Sequence, residues 1–234
     1  MDANTRKILE AISTATLTTV LLKKGLRNVW LRGPFPKQPN QKRVVGTAFT
    51  LRFVPAREDL ATPASWASPI STRAAIEAME EGVIAVADAN GVTDAGIFGD
   101  ILCARMAKRK VGALITDGVM RDMDGVLATG LPVWCAGAAA PASVAGLTFV
   151  NWQEPIGCGG VAVFPGDTIV ADGDGAVVIP QAMLAEVTEA AAEQEVLESW
   201  IMGEVEKGVP LPGLYPPNDE NKAKYAAWRK SQKS

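Results

Sequence analysis

Residues 83–122 run VIAVADANGVTDAGIFGDILCARMAKRKVGALITDGVMRD. The first seven (VIAVADA) are a nearly continuous apolar run, as in a strand buried on both faces. Residues 90–99 carry Gly and Asp and predict a loop. From Asp100 to about Lys110, Ile101, Leu102 and Met106 fall at helical spacing. Arg105, Lys108 and Arg109 come late in that segment, where cations suit the helix dipole. Residues 111–116 (VGALIT) read as a second buried strand. Strand, helix and strand in this order predict a right-handed βαβ unit within an α/β fold.

This unit brings charges together. α/β proteins place ligands beyond the carboxyl ends of parallel strands. Asp100 closes the turn Gly96-Ile97-Phe98-Gly99, and Arg121-Asp122 follows the tight Asp117-Gly118 turn. Both groups then lie at one edge of the sheet. Gly99 lets a ligand approach the backbone, and the N–H groups of Ile101 and Leu102 at a helix start suit a substrate carboxylate. Arg121 offers a planar fork for a carboxylate or enolate oxygen, and Asp122 a hard oxygen ligand. Each residue also has a plainer role open to it: Asp100 as an N-cap, Arg121-Asp122 as a surface pair before a helix.

Outward from the unit, residues 5–25 carry Ile8, Ile12, Leu17, Leu21 and Leu22 at helical spacing and predict a helix or helix pair ending at Gly25. Residues 31–43 read as a loop, and 44–54 as a strand that alternates after Gly46. The segment 56–72 is long, polar and carries two prolines, which points to a functional or partly disordered loop. Ser71 or Thr72 caps a helix over 73–80. Residues 131–135 form a short strand before the Ala-rich run 136–145. Residues 156–180 have the Gly-Gly, Pro-Gly-Asp and Asp-Gly turns of tight antiparallel β-structure. Residues 181–206 form an Ala- and Glu-rich helix. The organisation is one domain over 1–207 and a Pro-rich extension over 208–234, whose Tyr225 and Trp228 are expected to pack on a neighbouring subunit.

Composition narrows the chemistry. The chain has 234 residues, 48% of them hydrophobic and 21% charged, with net charge −3. An acidic chain of this kind is not expected to bind nucleic acid. It has no apolar leader and no run long enough to span a membrane, so a cytoplasmic protein is expected. It contains no histidine, which excludes Ser-His-Asp and Cys-His catalysis and any His-ligated zinc. Oxygen ligands for Mg²⁺, Mn²⁺ or Ca²⁺ remain. Cys103, Cys135 and Cys158 form no CxxC pair and read as buried free thiols. Asp167, Asp172 and Asp174 lie in predicted turns and read as structural. Arg57, Glu58 and Asp59 belong to the long loop, and Glu195 reads as a solvated helix residue. Nothing around Lys23 or Lys24 predicts the lowered pKa of a Schiff-base lysine.

The stretches GDILCARMAKRKVGALITDGVMRD and GGVAVFPGDTIVADGDGAVVIP resemble the RraA-like family. That family contains class II 4-hydroxy-4-methyl-2-oxoglutarate aldolases and regulators of ribonuclease E. Its aldolases are marked by an Asp, twenty residues, then Arg-Asp, which Asp100, Arg121 and Asp122 match. The resemblance implies a swivelling β/β/α fold in a homotrimer or dimer of trimers, with sites between subunits. It implies Asp122 as direct ligand of Mg²⁺ (or Mn²⁺), Asp100 on metal water and Arg121 on the keto or enolate oxygen. The N–H groups of Ile101 and Leu102 would take the carboxylate. A Glu on the late helix of a neighbouring subunit would support the metal water, and Glu195 is its best match, with Glu193 and Glu198 nearby. The implied reaction is cleavage of a 4-hydroxy-2-oxo acid to pyruvate, with oxaloacetate decarboxylation as a side activity. Two alternatives stand beside it: a non-enzymatic regulator of ribonuclease E-type partners, and a lyase of sugar-derived 2-oxo acids. The regulator branch keeps the Arg but lacks the Asp after it, so Asp122 favours the enzyme.

Overall fold

The computed structural model describes residues 1–232. Helices α1 (Ala3–Glu10) and α2 (Thr14–Lys23) open the chain, followed by short strands β1 (Trp30–Leu31) and β2 (Phe35–Pro36). The long β3 (Val44–Pro55) leads to α3 (Thr72–Ala78). The βαβ unit is β4 (Ile84–Asp88), α4 (Asp100–Lys108) and β5 (Ala113–Thr116). Then come β6 (Val119–Met120), α5 (Met123–Ala128), β7 (Val133–Cys135), β8 (Gly137–Ala138) and β9 (Leu147–Trp152). The hairpin β10 (Thr168–Asp172) and β11 (Gly175–Ile179) precedes α6 (Leu184–Glu206) and α7 (Asp219–Ser231).

The main sheet runs β1-β11-β10-β3-β4-β5-β7-β2, with β9 also paired to β3. Strands β3, β4, β5 and β7 are mutually parallel, and the hairpin joins β3 antiparallel. The period of two along each strand divides its side chains between cores. Ala85, Ala87 and Leu114 pack with Phe53, Ile76, Phe98 and Met106 beneath α3, α4 and α5. Ile84, Val86 and Ile115 face the other way, onto Ile169, Ala171 and Val178 of the hairpin. The hairpin's far side, Val170, Val177 and Ile179, is covered by Leu17, Leu21 and Val187 from α2 and α6. Each fully buried Leu, Ile or Val contributes roughly 1.5–3 kcal/mol. The apolar runs of β4 and β5 are continuous because they serve two cores at once.

Several expectations change in detail. β3 is buried on both faces over residues 48–51, where two cores meet it, and alternates only beyond Leu51, with Arg52 exposed and Phe53 buried. Residues 31–43 are not all loop: β1 and β2 pair with β11 and β7, and two-residue strands are too short to show a period. Ser71, not Thr72, caps α3, its Oγ accepting the Ala74 N–H at 3.3 Å. Within the chain the tail aromatics pack on α6. Tyr225 lies 5.6 Å from the Trp200 ring and 5.9 Å from Trp228, and its hydroxyl donates to Glu193. Among the described residues, no helix is long and apolar enough to cross a membrane.

Candidate active site

Loops from the carboxyl ends of β4 and β5 are joined by backbone hydrogen bonds. Ile97 N–H donates to Val119 O at 2.9 Å, and Arg121 N–H to Phe98 O at 3.0 Å. The fit needs glycine: a Cβ on Gly96 would lie 2.6 Å from Arg121 N. A Cβ on Gly99 would lie 2.9 Å from Asp122 Oδ2 and 3.2 Å from Arg121 Cγ. Arg121 and Asp122 therefore rest against the bare backbone that starts α4.

Neither aspartate serves as a helix cap. Gly99 holds the N-cap position of α4 and Asp100 is the first helical residue. Asp100 Oδ1 accepts the neighbouring Ile101 N–H at 2.7 Å. Asp122 occupies the N-cap position of α5, yet its side chain caps nothing. Its backbone is left-handed, with φ +50°, a conformation that costs most residues other than glycine about 1–2 kcal/mol. Its Oδ2 accepts Arg121 Nε at 3.1 Å, and its side chain is half exposed. Among the described residues, Asp100 and Asp122 have no other hydrogen-bond donor.

Gly99, Asp100, Ile101, Leu102, Arg121 and Asp122 all line one cavity of about 300 Å³. The same cavity is bounded by Trp66, Thr72, Arg73 and Ser143, which sequence reasoning missed. Arg73 Cζ lies 5.0 Å from the Trp66 ring centroid. One signal was available: Arg73 is in the first turn of α3, where the helix dipole disfavours a cation.

Other candidates lie elsewhere. Glu195 does not line the cavity; it accepts the Ser13 N–H at 2.8 Å. Glu193 pairs with Arg229, and Glu198 accepts from Gln194 and Thr16. A single chain thus brings no late-helix carboxylate to the site. Arg57 pairs with Asp59 at the surface. Lys23 and Lys24 bond Gln194 and Glu186. Asp167 accepts the Phe164 and Gln181 N–H groups, a structural use. The three cysteines are free and buried. Burial, with Asp100 and Cys135 nearby, pushes the Cys103 thiol up to about 12, and burial holds Cys158 well above its ordinary value. Neither is a nucleophile.

Among the described residues, no three acidic or cysteine side chains gather into a metal cage. What the cavity offers is two under-used carboxylates. Mg²⁺ fits that donor set, since it retains several waters and is commonly held by one or two carboxylates plus substrate.

The family description RraA-like (Aldolase/RraA) matches residues 6–178. A Halalkalibacterium halodurans protein named "Putative 4-hydroxy-4-methyl-2-oxoglutarate aldolase" is 34% identical over 126 residues, covering 52% of this chain and 59% of that protein. Protein DlpA of Legionella pneumophila is 28% identical over 169 residues, covering 72% of this chain but 26% of DlpA. The chain therefore spans less than two thirds of both relatives. Streptomyces coelicolor RraAS2, described as an unusual member of the RNase ES inhibitor RraA family, superposes with a TM-score of 0.76 at 33% identity. That match covers 86% of this chain and 96% of RraAS2. The mixed sheet, the central βαβ unit and the extent of these matches agree: the chain belongs to the RraA-like family.

Proposed function

We propose that the cavity cleaves a 4-hydroxy-2-oxo acid to release pyruvate, as a carbon–carbon lyase working with Mg²⁺ or Mn²⁺. The observation that carries this reading is the meeting of Arg121, two under-used carboxylates and the start of α4 in one cavity. The names of the aldolase relatives support it. Asp122 would hold the cation directly and Asp100 through water. The cation, when bound, would supply Lewis-acid polarisation of the 2-oxo group.

The chain's own residues do the rest. The Ile101 and Leu102 N–H groups orient the substrate carboxylate. The Ile101 N–H is held by Asp100 Oδ1, so a carboxylate arriving there releases Asp100 to hold water. As the C3–C4 bond breaks, negative charge grows on the keto oxygen, and the Arg121 guanidinium meets it. The 4-hydroxyl proton passes to the water that Asp100 would hold as the C4 carbonyl forms, and that water returns it to C3 of the enolate to give pyruvate. Glu195 from a second copy, in a trimer or dimer of trimers, would complete that hold. Oxaloacetate, which loses CO₂ through the same charge development, is a second substrate of this site.

A panel of 4-hydroxy-2-oxo acids with Mg²⁺, read by pyruvate release, tests the proposal. Turnover should vanish with EDTA and return with Mg²⁺. It should fall about 10²–10³-fold in Arg121→Ala, the usual loss for one electrostatic stabiliser. A panel that includes sugar-derived 2-oxo acids also covers the alternative lyase. A second reading, inhibition of a ribonuclease E-type enzyme, is favoured by the similarity to RraAS2. It gains if no acid is cleaved and the chain slows such a ribonuclease.

A further inference from the structure

We infer that the Thr72 and Ser143 hydroxyls bind a hydroxyl group on the far half of the substrate, so that the cavity selects polyhydroxylated, sugar-derived 2-oxo acids. This rests on the proposed function for the 2-oxo end and names the chemistry of the other half. Both residues come from elements that carry none of the reacting-end groups. Thr72 opens α3, and Ser143 opens the short turn Ser143–Ala145 before β9.

Thr72 is only 8% exposed, yet its hydroxyl has no hydrogen-bond partner among the described residues. Buried polar side chains are nearly always paired, so a spare one calls for a reason. Five hydroxyl side chains line the cavity and an adjoining void of about 30 Å³. Three are engaged within the chain. Ser65 donates to Thr62 O at 2.6 Å, Ser71 accepts the Ala74 N–H at 3.3 Å and Thr148 accepts the Arg57 N–H at 2.9 Å. The two left without a partner, Thr72 and Ser143, are the two that also border the cavity of Asp100 and Arg121. The hydroxyls that build the wall are paired, and those that border the site are spare.

Arg73, next to Thr72, extends this set. Glu77 lies four residues further along α3, at the spacing where a helical ion pair forms. It is held instead by Arg105 Nε and Nη2 at 2.7 and 2.8 Å and by Arg109 Nη1 at 3.1 Å. Among the described residues, Arg73 keeps only its place over the Trp66 ring. A guanidinium only donates, whereas a hydroxyl both donates and accepts. A ligand hydroxyl can therefore accept from Arg73 and donate to Thr72 or Ser143. An apolar chain end would leave all three unpaired, and a site built to pair a substrate hydroxyl rejects the analogue that lacks it. The volume of about 300 Å³ is at the small end for ligand pockets and suits a six-carbon acid.

Calorimetric titration in Mg²⁺ compares 2-oxohexanoate with 5,6-dihydroxy-2-oxohexanoate. The two acids share chain length and charge, and neither has the 4-hydroxyl that cleavage needs. The wild-type chain should prefer the dihydroxy acid by about tenfold or more, the worth of one or two hydrogen bonds. Thr72→Val and Ser143→Ala should each lower that ratio, and the double variant should bring the two affinities together. Thr72→Ser, which keeps the hydroxyl, should retain the preference. Equal affinities in the wild type, or a preference that survives the double variant, overturns the inference. If neither acid binds the wild type, this inference and the proposed site fall together. If the preference is as expected but 4,5,6-trihydroxy-2-oxohexanoate releases no pyruvate, the lyase proposal fails and the hydroxyl site stands.

Discussion

Asp117 and Asp172 on one side, and Asp100 and Asp122 on the other, are the same residue type put to opposite uses. Asp117 is buried. Its oxygens accept N–H groups from Ala89 at 2.8 Å, Gly159 at 3.0 Å and Gly91 at 3.2 Å. It ties the loops after β4 and β5 to the glycine-rich loop at 157–160. Asp172 takes the Thr14 hydroxyl at 2.6 Å, the Thr14 N–H at 2.9 Å, the Asp174 N–H at 3.1 Å and Arg43 at 3.3 Å. Asp100 and Asp122 each accept one bond from the residue next to them. A carboxylate saturated by fixed donors holds a fold. One with spare lone pairs can take a cation or water. The donors around it, more than its position beside a turn, decide which.

The contrast breaks most sharply at Asp117. Asp117→Ala leaves two buried N–H groups, those of Ala89 and Gly159, without an acceptor, each costing about 1–3 kcal/mol, and also frees the part-buried Gly91 N–H. That is a large share of a stability of about 5–15 kcal/mol. Urea unfolding should show a loss above roughly 3 kcal/mol, or no folded protein. Asp122→Ala should do the reverse: stability within about 1 kcal/mol of wild type, and pyruvate release down about 100-fold or more. A destabilised Asp122→Ala, or a stable Asp117→Ala, would erase the distinction.

Gly96→Ala sharpens it at the backbone. The added Cβ would press on Arg121 N and push the Arg121-Asp122 loop away from α4. A shift of about 1 Å costs on the order of 10²-fold in a positioned reaction. The expected signature is lower kcat with a folded, cooperative melt.

Acid gives the smallest effect, with opposite signs for the two structural aspartates. Burial pushes the Asp172 carboxyl up, but Thr14, the Asp174 N–H and Arg43 outweigh it, so its pKa falls below the ordinary value. Its stabilisation is complete above about pH 4 and is lost as pH falls through the lowered folded value. For Asp117, burial dominates its three N–H bonds and raises the pKa. Its charged form therefore costs stability as pH rises from the ordinary value through the raised one. Urea midpoints of wild type and Asp172→Asn should converge as pH drops below the ordinary carboxylate range. A constant gap would remove Asp172 from the acid response.

The sequence shows the βαβ unit clearly because the two-core packing of β4 and β5 writes itself as continuous apolar runs. It also shows Asp100, Arg121 and Asp122, because turn chemistry places them at strand ends. The helix start at Asp100 is legible too, but the sequence cannot show that Gly99 takes the N-cap position, with Asp122 against the space where a Cβ would lie. Arg73 is hidden for a similar reason. Its isolation depends on Arg105 and Arg109 of α4 capturing Glu77, a contact between helices that helical spacing alone would assign to Arg73. Glu195 carries no local mark, and within the chain it supports the start of α2. The contact of Tyr225 with Trp200 on the long α6 is not legible either, because it spans a distance along the chain that no period reveals.

The most direct test of the spare-carboxylate site is Mn²⁺ titration followed by electron paramagnetic resonance, with wild type, Asp122→Ala and Glu195→Ala side by side. The expected result is saturable binding by the wild type that weakens at least about tenfold in Asp122→Ala, the scale of a lost charged contact. Glu195→Ala should change it less, since Glu195 of a second copy would reach the cation only through water, whereas Asp122 would hold it directly. Mn²⁺ binding by Asp122→Ala with wild-type affinity would contradict the account.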